Sequence, residues 1–231
     1  MQKYSRIFDN DKASPIYFIV PGFLGNYSED FIGRLYVFLI ENNFNVRGVT
    51  FRGHENNETE LASLFEMVAN VESEYVLLRK DYPERRIIIL AHSQGCAVAL
   101  KAANCFDEKT SFILFSPVVY IDRVILPRIK EDDLRLIESG AAVVCKISRY
   151  KSRIINLDWI LSYRNFLLEE SLPRVKQECL IVRPREDWIE KENIDILCQK
   201  LAHQTYLEVS GDHIFAVPEA AFENLVKKIF L

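Results

Sequence analysis

No charge of one sign dominates this 231-residue chain, in which 29 basic residues face 33 acidic ones for a net charge of −4. It has no global basic field to draw nucleic acid and no polybasic block to hold a membrane surface, so neither is expected as a partner. Cysteine is sparse. The five present (Cys96, Cys105, Cys145, Cys179 and Cys198) are odd in number and form no CxxC pair, which argues against a disulfide framework and a zinc site. They read as buried small hydrophobes. Long apolar runs are missing as well: the opening MQKYSRIFDNDKASP is polar, without the apolar core of a secretion signal. No later segment approaches the ~18 apolar residues of a membrane span, and a cytoplasmic protein with no membrane insertion is expected. Internal repeats and Gly/Ser linkers are also absent. What remains is 49% hydrophobic and 27% charged, ordinary for a globular chain, and the length suits one α/β domain spanning residues 1–231.

The apolar residues fall into short β-branched and aromatic runs, each followed by a stretch of helical periodicity. SPIYFIVPG precedes SEDFIGRLYVFLIENN, in which Ser28 is the expected cap, and FNVRGVTF leads into TELASLFEMVANVESEYVLLRKDY. RRIIILAH runs into QGCAVALKAANCF, ECLIVRP precedes EKENIDILCQKLA, and QTYLEV precedes PEAAFENLVKKIF. With SFILFSP, that makes six strands. The alternation predicts an α/β fold with a mostly parallel sheet of about six or seven strands and helices on both faces. Residues from about 118 to 173 break the pattern. They show no clean strand, mix aliphatics with charges, and predict several short helices inserted over the carboxyl edge of the sheet.

That edge is where ligands gather in a parallel sheet, because βα loops and helix N-termini converge there. Ser93 sits at such a point, in RRIIILAHSQGCAVAL, after a strand and before a helix. A serine on a tight strand-to-helix bend projects its hydroxyl outward if the residues two before and two after are small, and Ala91 and Gly95 are. The helix behind it directs its positive end at whatever the serine attacks. Ser93 could equally serve as an ordinary helix N-cap.

The stretch Ala91-His92-Ser93-Gln94-Gly95 resembles the nucleophile elbow G-x-S-x-G of the α/β-hydrolase superfamily, with alanine in place of the first glycine. The resemblance implies a Ser-His-acid triad in the order Ser, Asp, His, and a cap formed by the insertion after the sixth family strand. Of the four histidines, His213 in LEVSGDHIF follows the last strand and precedes the last helix, where the family carries its base. CLIVRPREDWI resembles the family pattern V-x-G-x-x-D, with Pro184 at the glycine and Asp187 at the acid; Glu186 is the alternative, and Asp212 reads as a loop residue. The oxyanion hole would take the backbone amides of Gln94 and of Phe23, the latter because VPGFLGN resembles the family's H-G-x loop. Leu24 is the alternative donor and a candidate substrate contact. VTFRGHENN looks like the R-G-H-G segment of monoacylglycerol-lipase-like and serine-aminopeptidase-like members, its Arg52, Gly53 and His54 read as scaffold.

Acyl transfer to water is the implied chemistry, needing no metal or cofactor. The substrate would be a small molecule with an apolar short- or medium-chain acyl group, contacted by Trp159 and Tyr163 if the apolar residues of the insertion line a cleft instead of packing it onto the sheet. Arg149, Lys151 and Arg153 are either a solvated face or a site for an anionic leaving group. A carboxylesterase leads over a thioesterase, a peptidase or amidase, and a hydrolase fold reused for binding. The oligomeric state is not legible.

Overall fold

Strands whose side chains are apolar on both faces are stable only when a sheet is covered from both sides. The computed structural model describes residues 4–7, 14–25, 27, 30–55, 59–147 and 151–230. The first half runs β1 (Ser5–Arg6), β2 (Ile16–Val20), α1 (Asp30–Glu41), β3 (Asn45–Gly48), α2 (Leu64–Asp81), β4 (Ile87–His92), α3 (Gln94–Lys101) and β5 (Thr110–Phe115). Then come α4 (Ile121–Ile125), α5 (Glu131–Glu138), β6 (Val143–Lys146), β7 (Ser152–Ile155) and α6 (Leu157–Arg164). The chain closes with β8 (Glu178–Pro184), α7 (Glu192–Lys200), β9 (Gln204–Val209) and α8 (Glu219–Phe230).

Seven strands form one sheet in the order β1-β3-β2-β4-β5-β8-β9. All six strands read from the sequence are in it and pair in parallel. The seventh, β1, is a two-residue antiparallel addition to β3 within the polar opening, too short and too exposed to leave a hydrophobic pattern. Every residue of β2, β4 and β5 is buried. Alternate side chains enter two separate cores. Tyr17, Ile19, Ile88 and Leu90 meet α1 and α8 on one face, while Ile16, Phe18, Ile87 and Ile89 meet α2, α3, α6 and α7 on the other. The Ser28 cap expected for α1 lies outside the described residues, whereas α2 starts with a capping box in which Ser63 and Glu66 satisfy each other's backbone amides.

The segment between β5 and β8 departs from expectation. It holds short helices, but β6 and β7 also form an antiparallel hairpin, so the reading of no clean strand is corrected. Lys146 and Arg153 interrupt four-residue strands, which erased the period-2 signal. The hairpin is tied to the body through Ile154, whose amide donates to the Thr59 carbonyl and whose carbonyl accepts from Leu61. Of the cysteines, Cys96, Cys145 and Cys179 are buried as expected, while Cys105 is exposed and Cys198 only half-buried. Among the described residues no helix is long and apolar enough to cross a membrane.

Gly95 fixes how α3 meets the sheet. A Cβ there would lie 2.5 Å from the carbonyl oxygens of both Val20 and Pro21, so only glycine lets the helix start this close to the end of β2. Gly95→Ala is expected to cost ~3 kcal/mol in urea denaturation through overpacking against rigid backbone. A loss under about 1 kcal/mol would mean that the helix can lift away and that the contact is not tight.

Candidate active site

Ser93 joins β4 to α3 with φ 53° and ψ −123°, a left-handed conformation that a serine adopts only under constraint. The constraint is visible on both sides. Its amide donates to the Phe115 carbonyl at 2.9 Å, its carbonyl accepts from Cys96 at 3.0 Å, and Gly22 packs so closely that a Cβ there would lie 3.1 Å from the Ser93 Cβ. Although Ser93 occupies the N-cap position, its hydroxyl makes no cap hydrogen bond. It pairs instead with His213 Nε2, at 2.9 Å.

Asp187 completes the line. His213 Nδ1 lies 2.9 Å from Asp187 Oδ1, and the same oxygen accepts the Ile189 amide at 2.9 Å. Burial raises the Asp187 carboxyl, but the His213 hydrogen bond and charge, the Ile189 amide and the Ser116 hydroxyl outweigh it and hold the group below the usual carboxylate range. An ionised Asp187 requires the proton on Nδ1, which leaves Nε2 free to accept from the serine hydroxyl. The rival acids have other work: Glu186 accepts the Gly211 amide at 2.8 Å, and Asp212 accepts the Ile214 and Ala216 amides within its own turn.

Phe23 and Gln94, whose amides are the expected oxyanion donors, lie in the two segments that meet at Ser93. Gly22 brings its loop against Ser93 and His92, which places Phe23 at the bend, and α3 begins at Gln94. Among the described residues neither amide has a protein acceptor. The Gln94 side chain is fully engaged below the site, accepting from Tyr163 at 2.7 Å and donating to Met67 Sδ at 3.3 Å. Leu24 takes φ 55° and is buried.

Trp159 and Tyr163 do not stand in an open cleft. They are 1% and 2% exposed, their rings lie 4.1 Å apart, and Trp159 also meets Phe23 at 6.4 Å, so they pack α6 onto the body next to the site. The basic run turns inward too. Lys151 donates to the Leu24 carbonyl at 3.1 Å, and Arg153 donates to the carbonyls of Gly53, Ser152 and His54; Arg149 lies outside the described residues. Gly53 takes φ 83°, and Arg52 pairs with Glu60 and Glu66.

Two contributors escaped the sequence reading. His92 reaches past the elbow, and its Nε2 donates to the His213 carbonyl at 2.9 Å, fixing the loop that carries the imidazole. Trp188 places its indole 4.8 Å from the His213 ring while remaining 54% exposed. An apolar ring directly after the expected acid was the available signal.

Both buried scaffold histidines are held neutral. Burial pushes His92 down to about 4, with the His213 charge adding to the effect. Burial pushes His54 down to about 3, opposed by the Gly25 backbone and reinforced by the cations of Arg153 and Lys151. A folded pKa below the unfolded value gives stability that is full above pH 6.5 and lost as pH falls toward the folded value. Each histidine is expected to cost ~2 kcal/mol by pH 5. In urea denaturation at pH 7.5 and pH 5, His54→Gln should remove about half of the pH dependence, and an unchanged dependence would show that His54 is not held neutral. Ser93→Gly, which relieves the left-handed strain, is expected to raise stability by about 1 kcal/mol; a lower melting temperature would contradict the strain.

A sequence model of the serine aminopeptidase S33 family matches residues 12–163. No curated protein matches the chain in sequence. Among solved structures, Est1E from Butyrivibrio proteoclasticus, with ferulic acid bound, aligns at TM-score 0.72 and 17% identity over 98% of this chain and 94% of its own. Monoacylglycerol lipase from Paleococcus ferrophilus aligns at 0.63 and 17% over 94% of both chains. Mouse alpha/beta hydrolase domain-containing protein 10 aligns at 0.64 and 15%, over 97% of this chain and 96% of its own. At such identities the likeness is one of fold.

Proposed function

The chain belongs to the serine aminopeptidase S33 family of hydrolases, and from that premise we propose that it is a serine hydrolase cleaving a carboxylic ester through Ser93, His213 and Asp187. One observation carries the reading: the unbroken hydrogen-bonded line from the Ser93 hydroxyl through both nitrogens of His213 to an ionised Asp187. In this reading His213 Nε2 takes the hydroxyl proton as Ser93 Oγ attacks the carbonyl carbon. Asp187 stabilises the imidazolium. The Phe23 and Gln94 amides, with the N-terminal end of α3 behind them, stabilise the oxyanion. His213 then protonates the departing alcohol, and a water molecule activated by the same nitrogen releases the acid from the acyl-enzyme.

The same machinery would cleave a thioester, or an amide if His213 protonates the amine before it leaves. The segment between β5 and β8 acts as a cap in this reading, with Leu24, Phe23 and the edge of α6 nearest the acyl group.

Ser93→Ala is expected to lower turnover of chromogenic esters by ~10⁴-fold while circular dichroism remains native, and a fluorophosphonate is expected to label wild type at Ser93 alone. Retained turnover in the variant, or a folded protein that takes no label, would overturn the assignment. Matched esters, thioesters and anilides rank the leaving group.

A further inference from the structure

An exposed tryptophan beside a triad needs a reason, because a half-open indole leaves a large apolar surface in water. Trp188 is not loosely placed. Arg183 donates to the carbonyls on both sides of it, Asp187 at 3.3 Å and Ile189 at 3.2 Å, and the Ile189 amide returns to the Asp187 carboxylate. This turn holds the indole over His213. Ile214, next to His213, is 50% exposed and continues the apolar rim.

The insertion supplies a cation to the same place. Arg128, in the single turn that follows α4, sets its guanidinium 5.5 Å from the Trp188 ring centre. Its Nε donates weakly to the Val124 carbonyl at 3.4 Å. Burial lowers its pKa, with no opposing carboxylate, and among the described residues no acidic group pairs with it. An exposed guanidinium with no paired carboxylate, beside the aromatic ring that lies against His213, has the chemistry of an anion subsite.

Resting on the serine-hydrolase reading above, we propose that Trp188 and Arg128 form a specificity subsite, selecting substrates whose apolar stem lies on the indole and ends in a carboxylate or phosphate held by the guanidinium. The preferred ester is then a half-ester of a dicarboxylic acid, or its phosphonate counterpart, not a neutral fatty ester.

Three para-nitrophenyl esters of matched chain length test this: the hexanoate, the adipate half-ester and the phosphonopentanoate, the last two separating carboxylate from phosphate. Wild type should favour one anionic ester over the hexanoate in kcat/KM. Arg128→Gln should raise KM for that ester ~10-fold, the effect of losing a charged hydrogen bond, while leaving the hexanoate within about twofold, and Arg128→Lys should recover part of the loss. Trp188→Ala should raise KM for all three. Equal changes for charged and neutral esters in Arg128→Gln, or no anionic preference in wild type, would overturn the subsite while leaving the hydrolase reading intact.

If no ester is turned over, the hydrolase reading fails separately, and binding decides the subsite. The chain has two tryptophans, and only Trp188 is exposed. Adipate or butylphosphonate should therefore quench fluorescence in wild type and in Ser93→Ala but not in Arg128→Gln. Equal quenching in all three, or none in any, would sink the proposal.

Discussion

The bend at Ser93 is a conformation that a free chain would abandon, and the site exists because the surrounding backbone forbids it to do so. A left-handed serine costs ~1–3 kcal/mol. The incoming strand β4 is the middle of the sheet, hydrogen-bonded on both sides and buried at every residue, so it cannot rotate to relieve the strain. The outgoing helix cannot retreat either, because Gly95 sits against the carbonyls of Val20 and Pro21. Between these two immobile bodies the Ser93 hydroxyl has one direction left. It points away from α3 and toward His213.

The same device recurs around the sheet's carboxyl edge. Of the five non-glycine residues with positive φ among those described, four are Leu24 after β2, Ser93 after β4, Ser116 after β5 and Phe215 after β9. The fifth, Asn43, turns α1 into β3, a place where asparagine takes this conformation at little cost. At three of the four the chain leaves a fully buried strand, and at Phe215 the half-exposed edge strand β9; at each it turns sharply, so that a loop which would otherwise run outward folds back over the edge. Strain at these points is the geometric requirement for bringing a loop amide, a hydroxyl, a carboxylate neighbour and an imidazole loop to one spot.

Much of this was legible in the residues. Strands β2, β4 and β5 showed because buried strands are largely apolar runs, the other three because they alternate with helices at the same spacing, and the elbow because close packing demands small residues at 91 and 95. Asp187 and His213 were singled out by the resemblance of CLIVRPREDWI and LEVSGDHIF to the family's acid and base segments, both of which follow strand ends. The hairpin β6–β7 was not legible: four-residue strands carrying Lys146 and Arg153 have no period long enough to detect. Nor was the role of Trp159 and Tyr163, since an apolar residue in an insertion reads the same whether it lines a cleft or fills a core. His92 was passed over because its work is done by a ring nitrogen on a backbone carbonyl 121 positions away, which no local pattern encodes.

The cations of the insertion show why its chemistry follows from its placement, not its composition. Lys151 precedes and Arg153 lies within a hairpin packed against the body, and there they meet backbone carbonyls of the Leu24 and His54 loops. A guanidinium that donates to two or three carbonyls has few donors left for a ligand. Arg128 stands on the opposite flank, against an aromatic face and no carbonyl but that of Val124. The insertion thus touches three parts of the site: Lys151 and Trp159 meet the loop carrying Phe23, Tyr163 meets the side chain of Gln94, and Arg128 meets the indole over His213. A displacement of the insertion would disturb the Phe23 loop, the Gln94 side chain and the rim together. Its position is therefore part of the site's geometry, as much as the bend at Ser93.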